Sequence, residues 1–151
     1  MTPDATHRLA EMFRRHLALP DDAVLWLIDM WETIQTLDDL VDGVSVERPA
    51  LDDLIWRVLV RLPDNAFYRA HQATLAPVIA LCILKWQASD QRERAGAADA
   101  KTYMWRAGYY DLVLMAVLLC HGMRTAQEAA LFVMDMYGES LEDYLKEFDH
   151  A

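Results

Sequence analysis

The chain has 151 residues, 54% of them hydrophobic, with five Trp, eight Met and only five Gly and five Pro. That length buries a continuous core without disulfides or a structural metal, and so few Gly and Pro exclude a β-sandwich with a turn about every ten residues. The formal net charge of −10, from 24 acids against 14 bases, sets the surface against nucleic-acid phosphates and anionic membranes.

Helix one is predicted from Pro3 to Leu19, with Thr2 as its cap, Pro3 in its first turn and Pro20 as its stop. Leu9, Met12, Phe13, His16 and Leu17 fall on one stripe of it. Helix two opens at Asp21 and Asp22, whose carboxylates cap free N–H groups at the positive end of the dipole, and closes at Gly43. Leu27, Met30, Ile34, Leu37 and Val41 form its apolar face. Helix three spans Arg48-Pro49 to Leu62-Pro63, with Leu51, Leu54, Ile55, Val58 and Leu62 inward. Helix four follows Asp64-Asn65 and reaches about Asp90, with Pro77 placed to kink or split it.

Residues 91–98, with mixed charges and Gly96, read as an exposed connection. Helix five, about 98–121, ends at Gly122 and is apolar on nearly every side around Tyr109–Cys120, which marks a central buried helix. Helix six starts with the capping-box pattern Thr125-Ala-Gln-Glu128 and runs toward Phe148 along Val133, Met134, Tyr137, Leu141, Tyr144, Leu145 and Phe148. The expectation is an all-α, single-domain bundle of about six helices over residues 1–151.

Cys82 and Cys120 sit in apolar runs without metal-ligand spacing, as small core residues in a reducing compartment. The N-terminus lacks a signal-peptide pattern, and the longest apolar run, Leu112–Cys120, falls short of the ~20 residues of a spanning helix. A cytoplasmic protein with neither nucleic acid nor membrane as partner is expected.

In helix two, Glu32, Gln35, Asp39 and Asp42 share one side, because their spacings are three, four and three. Asp38 projects nearer the apolar face, and Asp38, Asp39 and Asp42 can gather around one small volume. Like charges at these spacings destabilise a helix by roughly 0.2–0.5 kcal/mol per pair, and the C-terminal end of the dipole disfavours them further. A hard cation such as Mg²⁺ or Mn²⁺ would reverse both effects. The plainer alternative is a solvated rim paired with Arg48, Arg57 or Lys85.

The segment Leu37-Asp38-Asp39-Leu40-Val41-Asp42 resembles the first aspartate-rich motif of the isoprenoid synthases, in the Asp-Asp-x-x-Asp form of the squalene- and phytoene-synthase-like enzymes. In that family, acids on facing helices bind Mg²⁺, which grips a prenyl diphosphate. The resemblance implies Asp38, Asp39 and Asp42 as metal ligands. Those enzymes are longer and carry a second acidic motif. The best late candidate here, Glu139 with Glu142 and Asp143, is expected to point to water. Glu32-x-x-Gln35 with Asp39-x-x-Asp42 is also similar to the acid-x-x-acid pairs of helical nucleotide pyrophosphatases, with Gln35 where an acid belongs. The chain's general style is similar to that of small helical proteins encoded by bacteriophages.

Asp111 lies in the most apolar stretch, where an unpaired carboxylate is costly, so it needs a cation, a donor or a metal. Arg106, His71 or a Tyr hydroxyl would satisfy it structurally; as a functional residue it would be a further metal ligand across from Asp38. The five His residues, including His150, show no zinc-like spacing, and no phosphate loop or nucleophile elbow is present.

Two functions are therefore expected. One is a divalent-metal-binding protein acting on a phosphate or diphosphate ester of a small molecule, with Asp38, Asp39, Asp42, Glu32 and Asp111 around Mg²⁺ or Mn²⁺. The other is a non-catalytic helical interaction protein, which the Trp and Met content suits as a homodimer.

Overall fold

The computed structural model describes residues 3–148, and the side chains of residues 5–148. The described residues are helical with connecting turns and contain no strand. Where the sequence offers a single domain, contacts cluster in two compact units, residues 1–72 and 73–151.

In the first unit, α1 (Pro3–Glu11) runs on into a π-helical turn at Met12–His16; the expected cap, Thr2, lies outside the described residues. Of the predicted stripe, Phe13 and Leu17 are buried while His16 is exposed. The chain leaves this helix through Ala18 at φ 49°, a left-handed position that favours glycine. The helix α2 (Asp21–Val41) follows Pro20, and the Asp22 carboxylate accepts from the Ala23 N–H at 2.8 Å. Phe13, Leu17, Leu19, Ala23, Val24, Trp26, Leu27 and Phe67 make the core. Trp26 stacks on Tyr68, with ring centroids 5.7 Å apart.

The third helix spans 48–64 as predicted, built from α3 (Arg48–Trp56), a π-helical turn (Arg57–Arg61) and α4 (Leu62–Asp64). Its facing follows the prediction only in part: Leu51, Leu54 and Leu62 are half-buried. Ile55 and Val58 are exposed rather than inward, and so are Leu37 and Val41 at the end of α2. Asn65 then caps α5 (Ala66–Arg94): its side chain accepts from the Tyr68 N–H at 3.0 Å and donates to the Asp22 carbonyl at 2.9 Å.

The break in α5 falls at His71 (φ −124°, ψ 16°), not at Pro77, and the His71 ring lies 5.1 Å from Phe67. By length and composition α5 is long and apolar enough to cross a membrane, although only marginally so and with Arg69 and Lys85 along it. It ends at Arg94, which shortens the predicted connection at 91–98 to the residues after it.

In the second unit the predicted helix 98–121 is two helices, α6 (Ala100–Trp105) and α7 (Tyr109–His121). A β-carbon at Gly108 would lie 3.1 Å from the Cys82 side chain and 3.3 Å from its Cα, so the chain turns there in close approach to α5, where a side chain would crowd Cys82. Its carbonyl accepts from the Cys82 thiol at 3.1 Å, and burial, with Asp111 nearby, pushes that thiol up to about 11. Cys82 and Cys120 form no disulfide with each other, and both are half-buried.

The predicted last helix also divides, into α8 (Met123–Asp135) and α9 (Leu141–Lys146). Gly122, rather than a capping box at Thr125, precedes α8. True side-chain caps occur at Asp99, in a reciprocal box with Thr102, and at Ser140. Leu112, Val113, Ala116 and Val117 of α7 form the centre of this unit with Val133 and Tyr144.

Candidate functional site

The acids of α2 divide between two environments. Near the middle of the helix, Glu32 Oε2 accepts from Arg57 Nη2 at 3.1 Å, so this predicted metal ligand already has a cation. Arg57 also bonds Asp53 on its own helix and lies 3.9 Å from Asp29. Arg61 completes the cluster, donating to Asp29 at 3.1 Å and to Asp53 at 3.2 Å. Burial would lower the Arg61 pKa, but its bonds and charges from Asp29 and Asp53 raise it above the ordinary value. Five charged groups from two helices thus form one clamp that fastens helix 48–64 onto α2.

At the end of α2, Asp38 and Asp39 are half-buried and Asp42 is exposed. Their carbonyls close the helix: Asp38 accepts from the Asp42 N–H at 3.0 Å and Asp39 from the Val44 N–H at 2.9 Å. Among the described residues, no group of three or more His, Cys, Asp or Glu side chains is arranged to hold a metal. A cleft of about 470 Å³ between α1 and α2 is lined by Glu32 with His7 and Arg14, but not by Asp38, Asp39 or Asp42.

Asp111 departs from expectation. It stands in the first turn of α7 with a side chain 55% exposed, and Lys85 Nζ donates to it at 3.1 Å. The apolar stretch around it is real, but the turn at Gly108 places Asp111 at a helix start, where a carboxylate also suits the dipole. It belongs to the second unit and Asp38 to the first.

The tyrosines of the second unit pack on one another. Tyr103 stacks on Tyr137 at 4.9 Å, and the Tyr137 hydroxyl donates to the Tyr103 carbonyl at 3.1 Å. The buried Tyr144 hydroxyl lies 2.6 Å from Glu93 and 2.8 Å from Thr102, beneath Arg106 at 5.1 Å from its ring. Of the late acids, Glu142 and Asp143 are exposed, whereas Glu139 is half-buried; burial first, then a hydrogen bond with Glu147, raises its pKa.

What the sequence did not reveal is the outer face of helix 48–64. Ile55, Trp56, Leu59 and Val60 are 54%, 63%, 71% and 43% exposed, at spacings of one, three and one that put them on one side. The buried position among them is Arg57, at 4%. The signal was present in the sequence: an apolar run with one central arginine and an aspartate four residues before it.

Compared with known proteins, the chain matches no family model, no curated protein and no solved structure.

Proposed function

We propose that this chain is a non-catalytic helical interaction protein, and that helix 48–64 is its docking element. The observation that carries this is the exposed stripe of Ile55, Trp56, Leu59 and Val60. Scattered exposed apolar residues are ordinary, but four large ones side by side on one rigid helix are the mark of an interaction surface. At these exposures they leave on the order of 500 Å² of apolar surface, or roughly 12 kcal/mol of burial still unrealised. The charge clamp beneath supports the same reading: Arg57 fixes the helix from behind, so the stripe is presented in a set orientation. A preorganised face loses less entropy on binding.

Metal-assisted chemistry on a phosphate ester draws its support from the spacing of Asp38, Asp39 and Asp42. The interaction reading has the better physical footing, since Glu32 and Asp111 are already matched by Arg57 and Lys85.

The test is the accessibility of Trp56 in dilute protein. With fluorinated tryptophan incorporated, the ¹⁹F resonance that vanishes in Trp56→Phe identifies the residue. It should broaden strongly with a soluble nitroxide, while the signal of buried Trp26 should not. A Trp56 signal as protected as that of Trp26 in protein shown by sedimentation to be monomeric removes the docking face and this reading with it.

A further inference from the structure

We infer that a cleft between α5 and α6 binds a small aromatic phosphate monoester, with Arg92 and Lys101 on the phosphate and the Trp105 indole against the ring. The site lies wholly within the second unit and is independent of helix 48–64.

Three observations lead to it. The first is the shape of the cleft. It holds about 290 Å³ and is lined by Ala88, Ser89 and Arg92 of α5 and by Lys101, Thr102 and Trp105 of α6. On each helix the spacings are one and three, which keep the three residues on one side. Ser89 and Thr102 are buried and make the floor, whereas Arg92, Lys101 and Trp105 stand open to solvent at the rim. The floor hydroxyls are already engaged. Ser89 Oγ donates to the Lys85 carbonyl at 3.0 Å, and Thr102 Oγ1 accepts from the Asp99 N–H and the Tyr144 hydroxyl, both at 2.8 Å. A ligand therefore meets two cations and an indole.

The second is charge. Neighbouring bases are matched by acids: Lys85 by Asp111, Arg94 by Asp90 and Arg106 by Glu93. Lys101 makes no ion pair among the described residues. The acid closest to it in sequence, Asp99, is spent on the helix cap. Its carboxylate accepts from the Thr102 N–H at 3.1 Å, from the Lys101 N–H, and from Arg92 Nη1 at 2.9 Å. That one bond leaves Arg92 further guanidinium donors. One carboxylate thus faces two cations, and an anion completes the balance.

The third is the match between rim and ligand. A phosphate monoester carries close to two negative charges at neutral pH and several acceptor oxygens, enough to bridge cations on two helices. A carboxylate would be satisfied by the Arg92 fork alone. The half-exposed Trp105 ring offers a face for stacking. The volume lies at the small end of ligand sites, with room for a nucleoside monophosphate and not for a peptide. Repulsion from a chain of net charge −10 grows with ligand charge, which favours one phosphate over a nucleic-acid strand.

Titration of the full chain carrying fluorinated tryptophan tests this, with the Trp105 resonance identified by its loss in Trp105→Phe. Phenyl phosphate should shift that resonance saturably, and adenosine monophosphate should do so more tightly, with a Kd on the order of 100 μM. The resonance of Trp56, equally open but without cations beside it, should stay in place. Benzoate should bind at least about tenfold more weakly than phenyl phosphate. Lys101→Ala, which removes an exposed side chain and leaves the cap intact, should weaken both phosphates by roughly five- to tenfold. Far-UV circular dichroism checks that this variant is folded.

A Trp105 resonance unmoved by either phosphate up to about 5 mM overturns the inference. Trp105 and Trp56 shifting in step would mean stacking on any open indole, and equal binding of benzoate would mean that the second cation plays no part; each overturns it. Saturable binding indifferent to Lys101→Ala removes the site from this cleft and overturns it as well.

Discussion

In α7 the buried positions Leu112, Val113, Ala116 and Val117 are apolar, and the one acid of its first turn, Asp111, reaches out to Lys85. In helix 48–64 the only fully buried side chain is Arg57, while its neighbour Trp56 stands in solvent. The first helix is fastened by apolar burial and has little left to offer a partner. The second is fastened by charge together with half-buried Leu51, Leu54 and Leu62, and keeps Ile55, Trp56, Leu59 and Val60 on the outside. A helix held partly by charge keeps more of its hydrophobic surface for an intermolecular contact.

The largest effects should separate the two kinds of attachment. Leu112→Ala should cost about 2–5 kcal/mol in urea unfolding, through lost transfer energy and the cavity left behind. Arg57→Ala should cost about 1.5 kcal/mol, because helix 48–64 loses its charge-assisted bond to Glu32 while Asp53 keeps Arg61. Trp56→Ala, one residue away, should change the stability of the dilute protein by less than about 0.5 kcal/mol. An Arg57→Ala variant as stable as Trp56→Ala would mean that the clamp does not hold helix 48–64, and the contrast between the two regions would fail.

The same contrast explains what the sequence disclosed. Helix class and the bounds of the second and third helices were legible, because Pro20, Gly43, Pro49 and Asn65 mark ends by backbone chemistry that acts locally. The breaks at Gly108 and at residues 136–140 were not, because each depends on a tertiary contact. Gly108 lies in close approach to Cys82, and the turn before α9 is held by the Tyr103 hydroxyl donating to the Glu139 carbonyl. Periodicity also assigned Ile55 and Val58 inward, since an apolar stripe identifies a face but not what the face meets. For the acids, spacing put Glu32 on one side of α2 with Gln35, Asp39 and Asp42, but its cation came from 25 residues away.

Acid pH should act on the second unit at two separate points. Glu139 has its pKa raised by burial and by its bond to Glu147, so its charged form is disfavoured in the folded state. Its penalty is present at neutral pH and is relieved as pH falls toward its ordinary value of 4.5. Asp99 has its pKa lowered, chiefly by the Thr102 backbone N–H of the capping box. Its contribution is therefore present above its ordinary value of 3.8 and is lost as pH falls below it. Hydrogen exchange should show α9 better protected at pH 5 than at pH 7, with that gain absent in Glu139→Gln. Loss of α6 protection should begin only below about pH 4. Identical α9 protection at pH 5 and 7 would show that the Glu139–Glu147 pair is not strained at neutrality.

The smallest expected effect bears on the acids at the end of α2. If they are a solvated rim, Asp39→Asn should stabilise the protein by roughly 0.2–0.5 kcal/mol, because Asp39 and Asp42 stand one helical turn apart near the negative end of the dipole. Millimolar Mg²⁺ should then leave the Tm unchanged in both proteins. A bound cation gives the reverse pattern: Mg²⁺ raises the Tm in proportion to the logarithm of its concentration, and Asp39→Asn removes the rise. The sign of the Asp39→Asn effect without metal also matters. A ligand set preorganised for a cation stores repulsion that the amide relieves, whereas a carboxylate engaged by a neighbouring donor loses stability when neutralised. Only a gain in stability together with a Mg²⁺-dependent Tm would return α2 to the role of a metal-binding helix, and helix 48–64 would then be the support that positions Glu32 beside it.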